Sequence, residues 1–298
     1  MDVLTEGLAC PEGPDLLDDG RLIFVETFRC RVSSWSRGDG LQTYADVGGA
    51  PNAAMLGLDG VYVAQHGSSA GPWRSPRPTP ASVQKVQDDG RVVLAITRAD
   101  GKPLVGPNDL SFGADGCLYF TDPGAFDPDD PEEGQICVAE PDGTTHVLYR
   151  TGPTYPNGIV VDPDGSIVWD ESYTRAVHRR RSDGTVEHVA TLPEGHIPDG
   201  MKLATDGRLF IATVSSGGVD VIAPDGEPLD FIDTAGAPLN CVFDGSQLYV
   251  ADYGKSGSVG APEGDEVEDC GRLLRLRVDA EGQPLNRGAV ESQERVNP

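Results

Sequence analysis

One short signal recurs along the whole chain: an Asp-Gly pair followed at once by an apolar or alternating run. It stands as Asp19-Gly20 before Arg21-Leu22-Ile23-Phe24 and as Asp59-Gly60 before Val61-Tyr62-Val63. It returns at Asp115-Gly116, Asp164-Gly165, Asp206-Gly207 and Asp244-Gly245. From glycine to glycine the intervals are 40, 56, 49, 42 and 38 residues. Asp-Gly suits a tight hairpin because glycine accepts positive φ, and the β-branched and aromatic residues that follow favour a strand. A period of roughly 40–50 residues is that of a four-stranded propeller blade.

Further strands surround the signal. After the third copy, Gln135-Ile136-Cys137-Val138 leads through Asp142-Gly143 to His146-Val147-Leu148-Tyr149. After the fourth, Ala176-Val177-His178-Arg179 leads through Asp183-Gly184 to Val186-Glu187-His188-Val189. Each unit is a β-meander, and six of them predict an all-β chain, a six-bladed β-propeller closed on itself. Residues 1–298 then make a single domain, with no linker and with a tail from about residue 278 expected to be peripheral. Arg272-Leu273-Leu274-Arg275-Leu276 or an exchanged N-terminal strand completes the last blade; the sequence leaves both open. Two segments, 67–82 with Trp73 and 123–134 rich in carboxylates, read as loops on the ring, where substrate specificity commonly resides. The run 254–269 reads as mobile.

Charge narrows the partners. A formal net charge of -25 and a pI near 4.3 repel phosphate backbones and anionic lipid, so neither nucleic acid nor a membrane is expected. There is no apolar run long enough to span a bilayer, and Met1-Asp2-Val3-Leu4-Thr5-Glu6 lacks the regions of a signal peptide, so a cytoplasmic protein is the expectation. Six cysteines stand at long spacings without a CxxC pair and read as free or buried thiols. Oligomeric state is not legible.

Four prolines are each followed by an oxygen-bearing side chain: Pro11-Glu12, Pro107-Asn108, Pro156-Asn157 and Pro198-Asp199. Each such residue lies eight positions before its hairpin glycine, at Gly20, Gly116, Gly165 and Gly207. Asn52 after Pro51 keeps the same offset from Gly60, and Asn240 stands five before Gly245. In a meander whose Asp-Gly turn joins the first two strands, that offset marks the start of the innermost strand, beside the central channel. Glu12, Asn108, Asn157 and Asp199 thus form a candidate metal set of two carboxylates and two amides. Such hard oxygen donors suit Ca²⁺ best, with Zn²⁺, Mn²⁺ and Mg²⁺ left open. Pro-Asn-Gly and Pro-Asp-Gly are also common turns; the repeated offset is what raises them above that reading.

With Pro-Glu-Gly-Pro near the N-terminus, Gly-Pro-Asn-Asp-Leu, Tyr-Phe-Thr-Asp-Pro, Pro-Asn-Gly-Ile and Pro-Asp-Gly-Met in this order, the chain resembles the gluconolactonase/senescence-marker-protein family of metal-dependent lactonases over roughly residues 7–255. The resemblance implies a six-bladed propeller with one divalent cation in the channel. It implies Glu12, Asn157 and Asp199 as ligands, Asn108 on the metal or the substrate, and Asp199 as the catalytic base. Val61-Tyr62-Val63-Ala64-Gln65-His66-Gly67 is similar to a bacterial branch of the family, which makes His66, with Asn52 and Asn108, a candidate for substrate binding. Gly106 stands where several members carry an arginine that contacts sugar hydroxyls, which argues against a D-glucono-lactone preference. The expected function is hydrolysis of a small-molecule lactone, by a metal-polarised carbonyl and Asp199-activated water. Alternatives are another ester or phosphotriester hydrolase, a non-hydrolytic biosynthetic enzyme on the same propeller, and a non-catalytic calcium-binding propeller.

Overall fold

The structure, a computed structural model, describes residues 1–254 and 269–293. Six four-stranded antiparallel sheets account for nearly all of its regular structure. Their innermost strands are Pro11–Leu16, Pro51–Leu56, Leu110–Phe112, Pro156–Val161, Pro198–Leu203 and Pro238–Asp244, which we number blades one to six. Consecutive inner strands pack side by side, and the sixth packs back on the first, so the ring is closed. This is the six-bladed β-propeller that the repeat predicts.

Each Asp-Gly pair sits in the hairpin between the first and second strands. At the first copy Gly20 N–H donates to Leu17 O and Leu17 N–H to Arg21 O, while the Asp19 carboxylate accepts from Arg21 N–H. Gly20 has φ +82°, a conformation that a residue with a Cβ adopts only at a cost. Apolar side chains of neighbouring blades interleave between the sheets. Tyr62, Phe112 and Phe120 fill the space between blades two and three, and Phe210 and Phe243 that between five and six.

Both candidates for completing the last blade are used. Gly271–Arg277 is its third strand, and the N-terminal Asp2–Leu8 pairs antiparallel with it as the fourth. The first and last described segments are thereby stitched together by backbone hydrogen bonds.

The tail after Arg277 is not peripheral, contrary to the sequence reading. It crosses the end of the ring where the Asp-Gly hairpins lie: Gln283 N–H donates to Leu203 O, Leu58 N–H to Gly288 O, and Gln293 N–H to Ala95 O. Val290 is fully buried, with its N–H on the Tyr62 hydroxyl, and Arg287 pairs with the buried Asp15. Mixed composition hid this role; the segment has no strand pattern because its partners are backbone groups of several blades.

The 67–82 loop carries a small ladder, Ser69–Ala70 with Trp73–Arg74, and buries Trp73. Cys10, Cys30, Cys117, Cys137 and Cys241 are free thiols. Most of the run expected to be mobile, 255–268, lies outside the described residues. Among the described residues no helix is long and apolar enough to cross a membrane.

Candidate active site

The end of the channel opposite the tail opens into a cavity of about 530 Å³. Glu12, Asn52, His66, Asn108, Asn157 and Asp199 all line it. The sequence offset marked five of these six and the family resemblance marked His66; Asn108 stands just before its strand rather than in it.

Pro-X-Gly begins a strand here; it is not a turn. Pairing of the inner strand with the second strand starts at the proline and then breaks register: between Glu12 and Asp15, Pro51 and Ala53, Pro156 and Ile159, and Pro198 and Met201. Proline has no N–H to give to the ladder, and the bulge that follows re-aims the next side chain toward the axis. The glycine serves close approach. A Cβ on Gly13 would overlap Ala53 of the next blade, and one on Gly200 would overlap the Asn240 side chain.

Burial without partners marks the floor. Both carboxylate oxygens of Glu12 and the Oδ1 of Asn157 are buried with no hydrogen-bond partner among the described residues. Asn157 is held by its other end, Nδ2 donating to Ser172 Oγ at 3.1 Å, and that hydroxyl donates to Pro198 O at 2.8 Å. Orphan acceptors of this kind are costly unless something positive lies between them. Burial, then repulsion from Asp199 and Asp109, pushes the Glu12 carboxyl well above the usual range. Burial and Asp109 push Asp199 up to about 8. Two carboxylates and an amide oxygen are the donors of a hard divalent cation, and their unmet demand fits one. Among the described residues no cluster of three or more His, Cys, Asp or Glu side chains is set for a metal, in keeping with a set that relies on amides.

Asn108 differs from Asn157. Its Oδ1 already accepts from Asn52 Nδ2 at 2.9 Å, and its Nδ2 lies 3.4 Å from the Tyr155 hydroxyl and 3.5 Å from His66 Nε2. Burial alone drives His66 down to about 4, so the ring is neutral at ordinary pH.

Sequence reasoning missed four residues at or below the floor. Tyr155, at φ +55°, places its hydroxyl 3.4 Å from His66 Nε2. Asp170, fully buried, accepts from Gly158 N–H with one oxygen and leaves the other unpaired. Asp109 and Lys202 meet through Asn240, which donates to Asp109 Oδ2 at 3.3 Å and faces Lys202 Nζ at 3.4 Å. The adjacency of Tyr155 to Pro156-Asn157 was a usable signal; nothing in the sequence separates Asp170 from other strand-end acids.

A family model described as SMP-30/Gluconolactonase/LRE-like region matches residues 10–252. The chain belongs to that family. This SMP-30/gluconolactonase-like propeller is 26% identical over 293 residues to a gluconolactonase from Zymomonas mobilis, covering 84% of this chain and 78% of the relative. Among solved structures it superimposes on a gluconolactonase from Xanthomonas campestris with TM-score 0.70 and 23% identity, covering 92% of this chain and 89% of the other. It likewise superimposes on regucalcin, a calcium-binding protein from Agrobacterium tumefaciens, with TM-score 0.73 and 17% identity, over 99% and 97% of the two chains. At these identities the two structures support the shared propeller fold.

Proposed function

We propose that the chain is a divalent-metal-dependent hydrolase that opens a lactone ring to the hydroxy acid. The observation that carries this reading is the convergence of the orphan Glu12 and Asn157 oxygens with Asp199 on the floor of one cavity. Gluconolactonase among the relatives supports the lactone as the bond attacked.

Glu12, Asn157 and Asp199 are the residues that would hold the cation, Ca²⁺ best matching their hard oxygens. When bound, such an ion polarises a carbonyl and offsets charge that develops on its oxygen. Asp199 accepts the proton of the attacking water at a carboxylate oxygen. Asn108, its own oxygen engaged by Asn52, faces the substrate with its amide N–H; the neutral His66 and Tyr155 complete that side as hydrogen-bond partners. Water adds to the carbonyl carbon, the ring C–O bond breaks, and the proton ends on the leaving alkoxide.

A pH-indicator assay over sugar, aliphatic and aryl lactones, aryl esters and phosphotriesters, with chelation and metal add-back, tests this. Lactone opening that chelator removes and Ca²⁺ restores is expected. Activity that survives complete metal removal overturns the metal role, and calcium binding without turnover of any substrate leaves a non-catalytic propeller.

A further inference from the structure

Above its polar floor the described walls of the cavity are mostly aromatic and aliphatic, with Arg74 and Asp127 the charged residues among them. Across the channel from each other stand two aromatic walls. On the side of blades six and one, Phe28 packs edge-on to Tyr253 with centroids 6.2 Å apart and is backed by Trp73 at 5.1 Å. On the side of blades three and four, Phe126 packs edge-on to Tyr155 at 4.9 Å and against Tyr173 at 5.3 Å. Ile197, Val214 and Leu239 continue the apolar lining.

Several polar groups in the described walls are turned back on the protein, Asp127 Oδ1 accepting from Asp129 and Asp130 N–H. Thr27 Oγ1 donates to Pro51 O, Ser172 Oγ donates to Pro198 O, and Arg74 Nη1 donates to Gly71 O and Trp73 O. Gly106 offers nothing either: its N–H donates to Asp122, and a Cβ there would stand 3.0 Å from Gly124 O rather than in the cavity. A ring bearing several hydroxyls would leave those that face the aromatic surfaces without partners, at roughly tenfold in affinity for each. An alkyl or aryl substituent gains from the same surfaces. The net charge of -25 further disfavours substrates that are anionic before hydrolysis.

We infer that the site takes a neutral lactone with an apolar substituent, seated between Phe126 and Phe28, rather than a polyhydroxylated sugar lactone. This inference rests on the lactone-hydrolase reading for its chemistry but not for its test, because occupancy can be read without turnover. With the cation-loaded full chain, binding of a δ-alkyl-δ-valerolactam, a ring that is not opened, is compared by calorimetry with that of D-gluconolactam. The alkyl lactam is expected to bind at least about tenfold tighter. In turnover, kcat/KM for δ-nonalactone is expected to exceed that for D-glucono-δ-lactone by a similar factor.

Phe126, half-buried in a loop, supplies the variant. Phe126→Ala is expected to raise KM for the alkyl lactone roughly tenfold with little change in kcat, and to raise that for the sugar lactone several-fold less. Tighter binding of the sugar lactam, binding of neither lactam, or preferred opening of the sugar lactone overturns the inference. Preferential binding of the alkyl lactam with no lactone opened leaves the inference standing and removes the hydrolase reading instead.

Discussion

Two rings of buried polar side chains run around this propeller, one at the start of the first strands and one at the end of the second. The second-strand ring holds Glu26, Gln65, Asp122 and Asp252, and each accepts the backbone N–H of a residue one or two positions before the proline at or ahead of an inner strand. The donors are Ala9 at 3.1 Å, Ala50 at 2.6 Å, Gly106 at 2.6 Å and Ala237 at 3.1 Å. The first-strand ring holds Glu12, Asn52, Asn108, Asn157 and Asp199, and there acceptors are left over. Glu12 and Glu26 lie on paired strands of one blade, 4% and 0% exposed. Glu26 is met by Arg29, Arg31, Ser33 and Ala9; neither oxygen of Glu12 has a hydrogen-bond partner among the described residues. Equal burial therefore says little about role. A satisfied buried acid pins the chain, whereas an unsatisfied one is stability given up for a ligand.

Substitutions can break this contrast, most sharply at Asp199. Asp199→Asn is expected to lower lactone hydrolysis by about a thousandfold or more while thermal unfolding measured with chelator present stays unchanged; near-normal turnover would remove its role as base. Glu26→Ala should do the reverse. It strands two arginines and the Ala9 N–H, so urea unfolding is expected to show a loss of about 3–5 kcal/mol with calcium affinity retained.

Calcium itself sharpens the comparison. At about a hundredfold excess over its dissociation constant, a cation bound only by the folded chain adds about 2.7 kcal/mol, visible as a raised Tm. Glu12→Gln is expected to abolish that increment and, with chelator present, to be no less stable than the parent, because it removes a buried carboxyl whose oxygens have no hydrogen-bond partner among the described residues. Should Glu12→Gln unfold the chelated protein, the two rings would not differ as described.

The smallest effect lies in acid. Burial alone would raise the Glu26 carboxyl, but Ser33 and Arg31 outweigh it and hold it below the usual range. A group depressed on folding contributes stability that is present above its unfolded pKa and is lost as pH falls through the folded value. Acid unfolding should therefore steepen below the ordinary glutamate range, and Glu26→Gln should flatten that limb. An unchanged acid midpoint in the variant would show that other carboxylates govern it.

The sequence by itself determined the blade count, because Asp-Gly hairpins and alternating strands are local chemistry that needs no distant partner. It also determined the address of the floor: a constant eight-residue offset from hairpin glycine to Glu12, Asn52, Asn108, Asn157 and Asp199 is a distance along one strand. Which buried polar groups are satisfied was decided only by the tertiary structure. Asn108 meets Asn52 across 56 residues and Asn240 meets Asp109 across 131, pairings that exist only once the ring has closed. The same closure joins Asp2–Leu8 to Gly271–Arg277, draws the tail over the ring's end, and sets Phe28 across the cavity from Phe126. Hydrogen-bond satisfaction and wall polarity depend on neighbours far apart in the chain, and no local pattern encodes them.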